Sequence, residues 1–405
     1  CSFSRSGEIP MGHNDSATAA TRRAIVVGAG IAGLAAAQRL HRAGWRVQIV
    51  ERAPHRRSGG HLVNLLGTGH DAARRLGILP ALADKDLGVF TSILTRADGS
   101  EKFTIPSEVA RASLGARAIT VFRGDLETAL YEAVRAVARF RFGTTVSALS
   151  QDGEGVTATL SDGSRERAEL LVGADGLHSG VRALVFGPEA EHLVDLRHMV
   201  AAFPLDSAPS TVSEGAGTTF IGPGRTAAVI NLGPDRSSAF FAYRCADPRS
   251  ELDDGPRTAL PRRFGDLGGA VPEALRRLSC RPEDAYFDSV SQVDMAAWHR
   301  GRVVLVGDAA WCVTLFAGYG AALALSGADR LGDLLEETDV PAALRRWEEA
   351  TRPEVVRRQG LARRGTAQFC PPSRAHVWAG EAMIRAMRVP GIRRVLLRGL
   401  ERATR

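Results

Sequence analysis

Short apolar runs alternate with glycine-rich turns and longer amphipathic stretches along this chain, and that alternation predicts its elements. Residues 24–27 are an apolar run, Gly28 to Gly33 form a glycine turn, and Leu34 to Ala43 follow as a helix ending near Gly44. A second strand, Arg46 to Val50, completes a β-turn-α-turn-β unit, the opening of a dinucleotide-binding fold. A glycine-punctuated loop then leads to an amphipathic helix carrying Ala72, Ala73 and Leu76. Residues 89–105 read as two alternating strands around Asp98-Gly99, a strong hairpin signal. A helix is expected from Gly124 to Val137, and turns at Asp152-Gly153 and Asp162-Gly163 divide residues 145–173 into a meander feeding the strand Leu170–Gly173. Strands dominate from about 196 to 290, with a helix expected from Pro261 to Leu278. The α/β character returns at Val303 to Asp308, followed by an Ala-rich helix from about Gly320 to Glu337 and a helical tail after Pro353, with breaks at Pro371, Pro372 and Pro390.

Composition narrows the class without naming a function. A chain of 405 residues exceeds the usual single core, so two interleaved or consecutive domains are expected. The apolar fraction of 44% and charged fraction of 24% are those of an ordinary globular protein. No apolar run reaches the roughly 18 residues of a membrane span, and residues 1–23 lack the apolar stretch of a signal peptide. These features predict a cytoplasmic protein, monomeric or homodimeric, with no membrane partner. The residues before Met11 read as a leader and are set outside the fold argument. The net charge of +7 is spread along the chain without the clustering of a nucleic-acid-binding arm, so no nucleic-acid partner is expected. Cys1, Cys245, Cys280, Cys312 and Cys370 show no CxxC pair, which excludes a zinc motif and favours free thiols over disulfides.

Three separated stretches carry the chemistry. In the first, Gly28 allows a tight turn, Gly30 lets the backbone approach a pyrophosphate at a helix N-terminus, and Gly33 lets helix and sheet approach closely. Glu51, at the end of the second strand with Arg52 beside it, is placed to accept hydrogen bonds from an adenosine ribose. This motif alone does not separate FAD from NAD. A nicotinamide dehydrogenase would continue through further βα units, whereas this chain enters hairpins, which favours a flavoprotein. The second stretch, Gly173 to Arg182, sets Asp175 after a buried strand, where a carboxylate can hold a ribose or ribityl hydroxyl, and Arg182 can neutralise phosphate or order the loop. In the third, Asp308 ends a strand, and Gly318, Gly320 and Ala321 lead into a helix whose free N–H groups suit the N1–C2 carbonyl edge of a flavin, where negative charge develops on reduction.

On these motifs the chain resembles the FAD-dependent monooxygenases built like p-hydroxybenzoate hydroxylase, in particular their bacterial tailoring and tetracycline-modifying branch. The resemblance covers roughly residues 23–360 and includes an arginine followed by leucines at three and seven residues, Arg123, Leu126 and Leu130. It implies an α/β architecture: a Rossmann-like FAD domain in three parts (22–88, 107–190 and 291–360), interleaved with a smaller sheet-based substrate domain (the hairpin 89–106 and residues 191–290), then C-terminal helices over 361–405. The implied FAD-binding residues are Gly28, Gly30, Gly33, Glu51, Arg52, Arg123, Asp175, Asp308, Gly318, Gly320 and Ala321. The implied mechanism is reduction of FAD by NADPH or NADH, addition of O₂, and oxygen transfer from a flavin hydroperoxide to a hydrophobic, polyketide-like small molecule. No metal is implied, and no pocket residue receives a catalytic role.

The loop expected beside the reactive ring departs from the family pattern at Trp311, Leu315 and Tyr319. These changes keep open a second class of activity found on the same fold, a non-redox [4+2] cyclisation with FAD as a structural element. A flavin-binding protein without enzyme activity is the third reading. Among His61, His178, His198 and His299 no ligand pair at helical spacing occurs, and structural roles are expected. Trp298 and Trp311 are expected in the core. The basic, amphipathic stretch from Ile392 to Arg405 is expected to be a helix lying across both domains.

Overall fold

The computed structural model describes residues 22–56, 61–88, 90–105, 107, 117–207, 209–234, 236–386 and 391. Its centre is a six-stranded sheet in the order His299–Arg300, Val303–Leu305, Leu170–Gly173, Arg23–Val27, Arg46–Val50 and Arg139–Arg141. Five strands are parallel and the His299–Arg300 edge is antiparallel. The inner strands are buried almost throughout, packed in one core with the helix Ile31–Arg42 and with Val156, Ala158 and Leu160 of residues 146–168, which is why they read as continuous apolar runs. The strands come from three distant stretches of chain, and the opening unit is closed by the helix Ile31–Arg42.

Residues 146–168 form the expected three-stranded meander, and Leu62–Leu66 pairs with Ala118–Phe122. The second layer is a seven-stranded sheet in the order Tyr286–Val293, Leu193–Leu205, Ser237–Arg244, Arg225–Asn231, Ala216–Gly222, Thr91–Thr95 and Glu101–Ile105. The two strands of the hairpin pair as its alternation predicts, and Thr91–Thr95 adds to this sheet by a parallel pairing with Ala216–Gly222.

Period-two alternation gives that sheet two different faces. Met199, Ala201, Phe203, Phe241 and Tyr243 pack on one side with Leu260, Phe264, Ala274 and Leu278. Val200, Ala242 and Val290 point the other way, where Phe240, Tyr286, Leu315, Phe316 and Phe369 join them. This second face packs against Leu315 and Phe316 of the third glycine stretch.

Two expectations need correction. The helix predicted from Pro261 to Leu278 is two helices, Pro256–Phe264 and Val271–Cys280. The segment between them must approach another backbone: a β-carbon at Gly268 would lie 2.3 Å from the Asp98 carbonyl oxygen. The helical tail, expected after Pro353, begins before it: Val340–Phe369 is one continuous helix through that residue. The helix instead ends before Pro371 and Pro372, as expected. Cys245, Cys280, Cys312 and Cys370 are free thiols, in line with their spacing, while Cys1 lies outside the described residues. Pro390 and the basic stretch 392–405 also lie outside them.

Candidate functional site: a dinucleotide cleft facing an apolar sheet

The first glycine stretch is fixed by contacts that no side chain would permit. Gly28 has a φ of +106°, and a β-carbon there would lie 2.4 Å from the Ala174 carbonyl oxygen. At Gly33 a β-carbon would fall 1.9 Å from the Gly28 carbonyl oxygen, so helix and strand touch backbone to backbone. Gly30 differs: its φ is −83°, and a β-carbon would meet only Glu127 Oε1 at 3.8 Å and an Arg123 guanidinium nitrogen at 3.9 Å. Gly30 caps Ile31–Arg42 without a side-chain hydrogen bond, and the first turn carries no acid, leaving helix N–H groups available to an anion. The Glu51 carboxylate holds the turn from outside, accepting from Ala29 N and Ala53 N, both at 2.7 Å. Arg52 is exposed and makes no hydrogen bond or ion pair among the described residues.

Arg123 begins the helix Arg123–Val134 and its amide donates to the His61 carbonyl at 2.9 Å. Its guanidinium pairs at 2.8 Å with Glu127, one helical turn on. Burial pushes the Glu127 carboxyl above the usual range against the pull of Arg123 and Arg56, with Glu51 adding to the rise. Arg56 lies over the Tyr131 ring at 4.2 Å and donates to Thr128 Oγ1 at 2.8 Å. Sequence reasoning missed Glu127 and Arg56. The i, i+4 spacing from Arg123 was the available signal for the first, and nothing local marks the second.

The second stretch is an internal brace. Asp175 accepts from Ser179 Oγ at 2.5 Å and Val181 N at 3.0 Å, while Ser179 caps the helix Gly180–Phe186 by accepting from Arg182 N at 2.9 Å. Arg182 is wholly buried and donates to the Ala309 carbonyl at 3.1 Å, the Leu177 carbonyl at 2.6 Å and Glu189 at 3.2 Å. Of the two roles read for it, ordering the loop is the one its contacts serve, and it ties this stretch to the third. His178 bridges to the second sheet: Nδ1 contacts Glu189 and Nε2 contacts Asp288, each at 3.1 Å. The Asp288 hydrogen bond, together with Glu189, raises its pKa to about 9.

The third stretch lies beside the second sheet through Leu315 and Phe316. Asp308 is exposed at the start of the short helix Asp308–Trp311, and desolvation by the surrounding protein raises its pKa, against the lowering effect of Arg123 and a hydrogen bond with Cys312. Gly320, first residue of Gly320–Glu337, would bring a β-carbon to 3.9 Å from Asp308 Oδ1. That helix, like the first, has no side-chain cap and no acid in its first turn. Gly318 takes the left-handed conformation with open space around it, and Ala321 is half-buried in the same turn.

The three departures noted in this loop are placed differently. Trp311 is fully buried with Trp298 and Trp347, at ring separations of 4.7 and 5.6 Å, so it belongs to the core, as expected. Tyr319 is buried under the Arg358 guanidinium at 3.5 Å. Leu315 alone of the three joins the apolar face. His299 pairs with Glu348 at 2.7 Å and His198 contacts the Leu196 carbonyl at 2.6 Å, both structural roles. No cluster of metal-ligating side chains occurs among the described residues, and no helix among them is long and apolar enough to cross a membrane.

Two uncapped helix N-termini, a glycine turn that tolerates no side chains at two positions and an enveloped aspartate suit FAD, so fold and site define a dinucleotide-binding protein of the flavin type. A family described as FAD binding domain matches residues 21–340, and the chain belongs to it, within the flavin-dependent monooxygenases of the p-hydroxybenzoate hydroxylase fold. An uncharacterized protein of Mycobacterium tuberculosis is 33% identical over 309 residues, 75% of this chain and 82% of its own. A flavin-dependent monooxygenase from an unknown prokaryotic organism is 29% identical over 345 residues, 84% and 88% of the two chains. Among solved structures, tetracycline destructase Tet(51) superposes with a TM-score of 0.75 at 28% identity, covering 84% of this chain and 89% of its own.

Proposed function

We propose that this enzyme hydroxylates a hydrophobic, polyketide-like small molecule in the cleft between its two sheets, using NADPH or NADH as reductant. The observation that carries the reading is the join between the two layers: Leu315 and Phe316, which lie between Asp308 and Gly320 in the third stretch, pack with Val200, Phe240, Ala242 and Val290 of the second sheet.

Gly28, Gly30 and Gly33 would cradle the FAD pyrophosphate, with Arg123 supplying positive charge, and Glu51 and Arg52 would flank the adenosine end. Asp308 would hold the ribityl chain. The N–H groups after Gly318, at Gly320 and Ala321, would face the flavin edge. Asp175 contributes through the loop it braces. Bound FAD supplies the redox chemistry, accepting a hydride from the nicotinamide and activating O₂, so that one oxygen atom enters the substrate and the other leaves as water. The apolar wall contributes water exclusion and orientation.

The cyclase alternative drew on Trp311, Leu315 and Tyr319, and only Leu315 joins the apolar sheet face. Turnover of candidate planar polyketides under ¹⁸O₂ with NADPH tests the proposal. A product carrying one heavy oxygen supports it, and a product formed without reductant or O₂ overturns it.

A further inference from the structure

His61 and Tyr286 come from different layers and meet between them, where the proposed cleft would lie. His61 immediately precedes the strand Leu62–Leu66, and Tyr286 begins a strand of the opposing sheet, on its apolar face. Their rings lie 5.9 Å apart, tilted by 49°. Both keep some accessible surface. Both also feel nearby groups: Asp288, Cys312, Asp308 and Arg123 act on Tyr286, and Arg123 acts on His61.

Their polar atoms are unsatisfied. Neither His61 nitrogen nor the Tyr286 hydroxyl has a hydrogen-bond partner among the described residues, and His61 Nδ1 is sealed from solvent. An unpaired polar group in such a place loses its hydration without a compensating hydrogen bond. A sealed lone pair costs less than a sealed N–H, which favours the tautomer with Nδ1 bare and Nε2–H directed to the cleft. Burial, with Arg123 adding to it, lowers the His61 pKa to about 4, and burial raises that of Tyr286, so both are neutral near pH 7. Two neutral donors in an otherwise apolar wall call for an acceptor on a ligand.

We propose that His61 and Tyr286 are substrate-positioning residues, which together hold a ring-borne oxygen of the hydrophobic substrate by hydrogen bonds from imidazole Nε2–H and phenol O–H. The inference rests on the proposed function only in taking the cleft as the substrate pocket. A flavin carbonyl offers the same acceptor chemistry, so cofactor and substrate binding must be measured separately.

FAD-loaded protein, oxidised and without reductant, is titrated with 1-naphthol and with naphthalene, following the flavin absorbance. The wild type is expected to bind the naphthol about tenfold more tightly. Tyr286→Phe and His61→Leu are each expected to reduce that preference about fivefold, the worth of one neutral hydrogen bond, while His61→Gln retains most of it and FAD affinity stays within about twofold. A wild type with no preference, or variants that leave the preference intact, overturns the proposal. Variants that weaken FAD binding while leaving the preference intact assign the pair to the flavin and overturn it too. Because no turnover is involved, these outcomes are independent of whether oxygen transfer occurs.

Discussion

Two glycines of one motif, three residues apart, are expected to fail in opposite ways. At Gly33 a methyl group would sit 1.9 Å from a backbone oxygen, well inside any permitted contact, and the strand and helix that meet there are both core elements. Relief requires moving the helix off the sheet, so Gly33→Ala should cost at least about 3 kcal/mol, the upper end for overpacking a core. Gly30 carries no such constraint. Its backbone suits alanine, whose lower unfolded-state entropy gains about 0.4–1 kcal/mol, offset by the loss of glycine's advantage over alanine at a helix N-cap. The net change in Gly30→Ala should lie within about 1 kcal/mol of zero. Its methyl group would nevertheless stand where the pyrophosphate meets the helix N–H groups. Losing one charge-assisted hydrogen bond there costs about 1.5–3 kcal/mol, or roughly 10- to 150-fold in FAD affinity. Urea denaturation of the apoprotein reads the first effect, and FAD titration by flavin fluorescence reads the second. A Gly30→Ala protein as unstable as Gly33→Ala, or one that binds FAD like the wild type, would refute the reasoning.

The remaining predictions concern charge and strain. Arg182→Met should destabilise the protein by about 3 kcal/mol, because the buried Leu177 and Ala309 carbonyls lose their donor; an unchanged urea midpoint would count against the brace. The Glu127 pKa is raised in the folded protein, so the folded state binds the proton more tightly than the unfolded chain, and its contribution to stability is lost as pH rises from the ordinary glutamate range through the raised value. A pyrophosphate beside it strengthens this, so FAD affinity should fall across the same window in the wild type and stay flat in Glu127→Gln. His178 is raised to about 9 by Asp288 and Glu189, so its stabilisation is full below its unfolded pKa of about 6.5 and disappears as pH rises through 9. A melting-temperature profile should show that decline in the wild type and not in His178→Gln. Thr314 is held at a φ of +87° with its hydroxyl unpartnered, so Thr314→Gly should raise stability by about 1 kcal/mol in thermal melts.

What could be read from the sequence was local. Gly28 and Gly33 signal their turn because the positive φ of the first and the approach of the second to the Gly28 carbonyl are set within a few residues, and the Asp98-Gly99 hairpin is likewise a matter of two dihedral angles. The hairpin's partner strand was legible only as a member of the same layer, since its parallel pairing with Ala216–Gly222 joins distant parts of the chain. The same distance hid the roles of Arg182, whose acceptor at Ala309 lies in the third stretch, and of His61 and Tyr286, which meet only after both sheets have formed. Trp311 was the opposite case: its size alone pointed to the core, where it packs with Trp298 and Trp347. The helical tail was legible only after Pro353, whereas the helix runs through that residue, with Trp347 before it and Val355 after it both buried in the main core.

The most direct test of the central claim is the visible spectrum of the FAD-loaded protein after anaerobic addition of NADPH or NADH, with and without a candidate planar polyketide. Bleaching of the oxidised-flavin band, faster with the ligand and reversed by admitting air, is the expected result. A protein that takes up no FAD, or a bound flavin that stays oxidised with both nicotinamides and every ligand, would contradict the account.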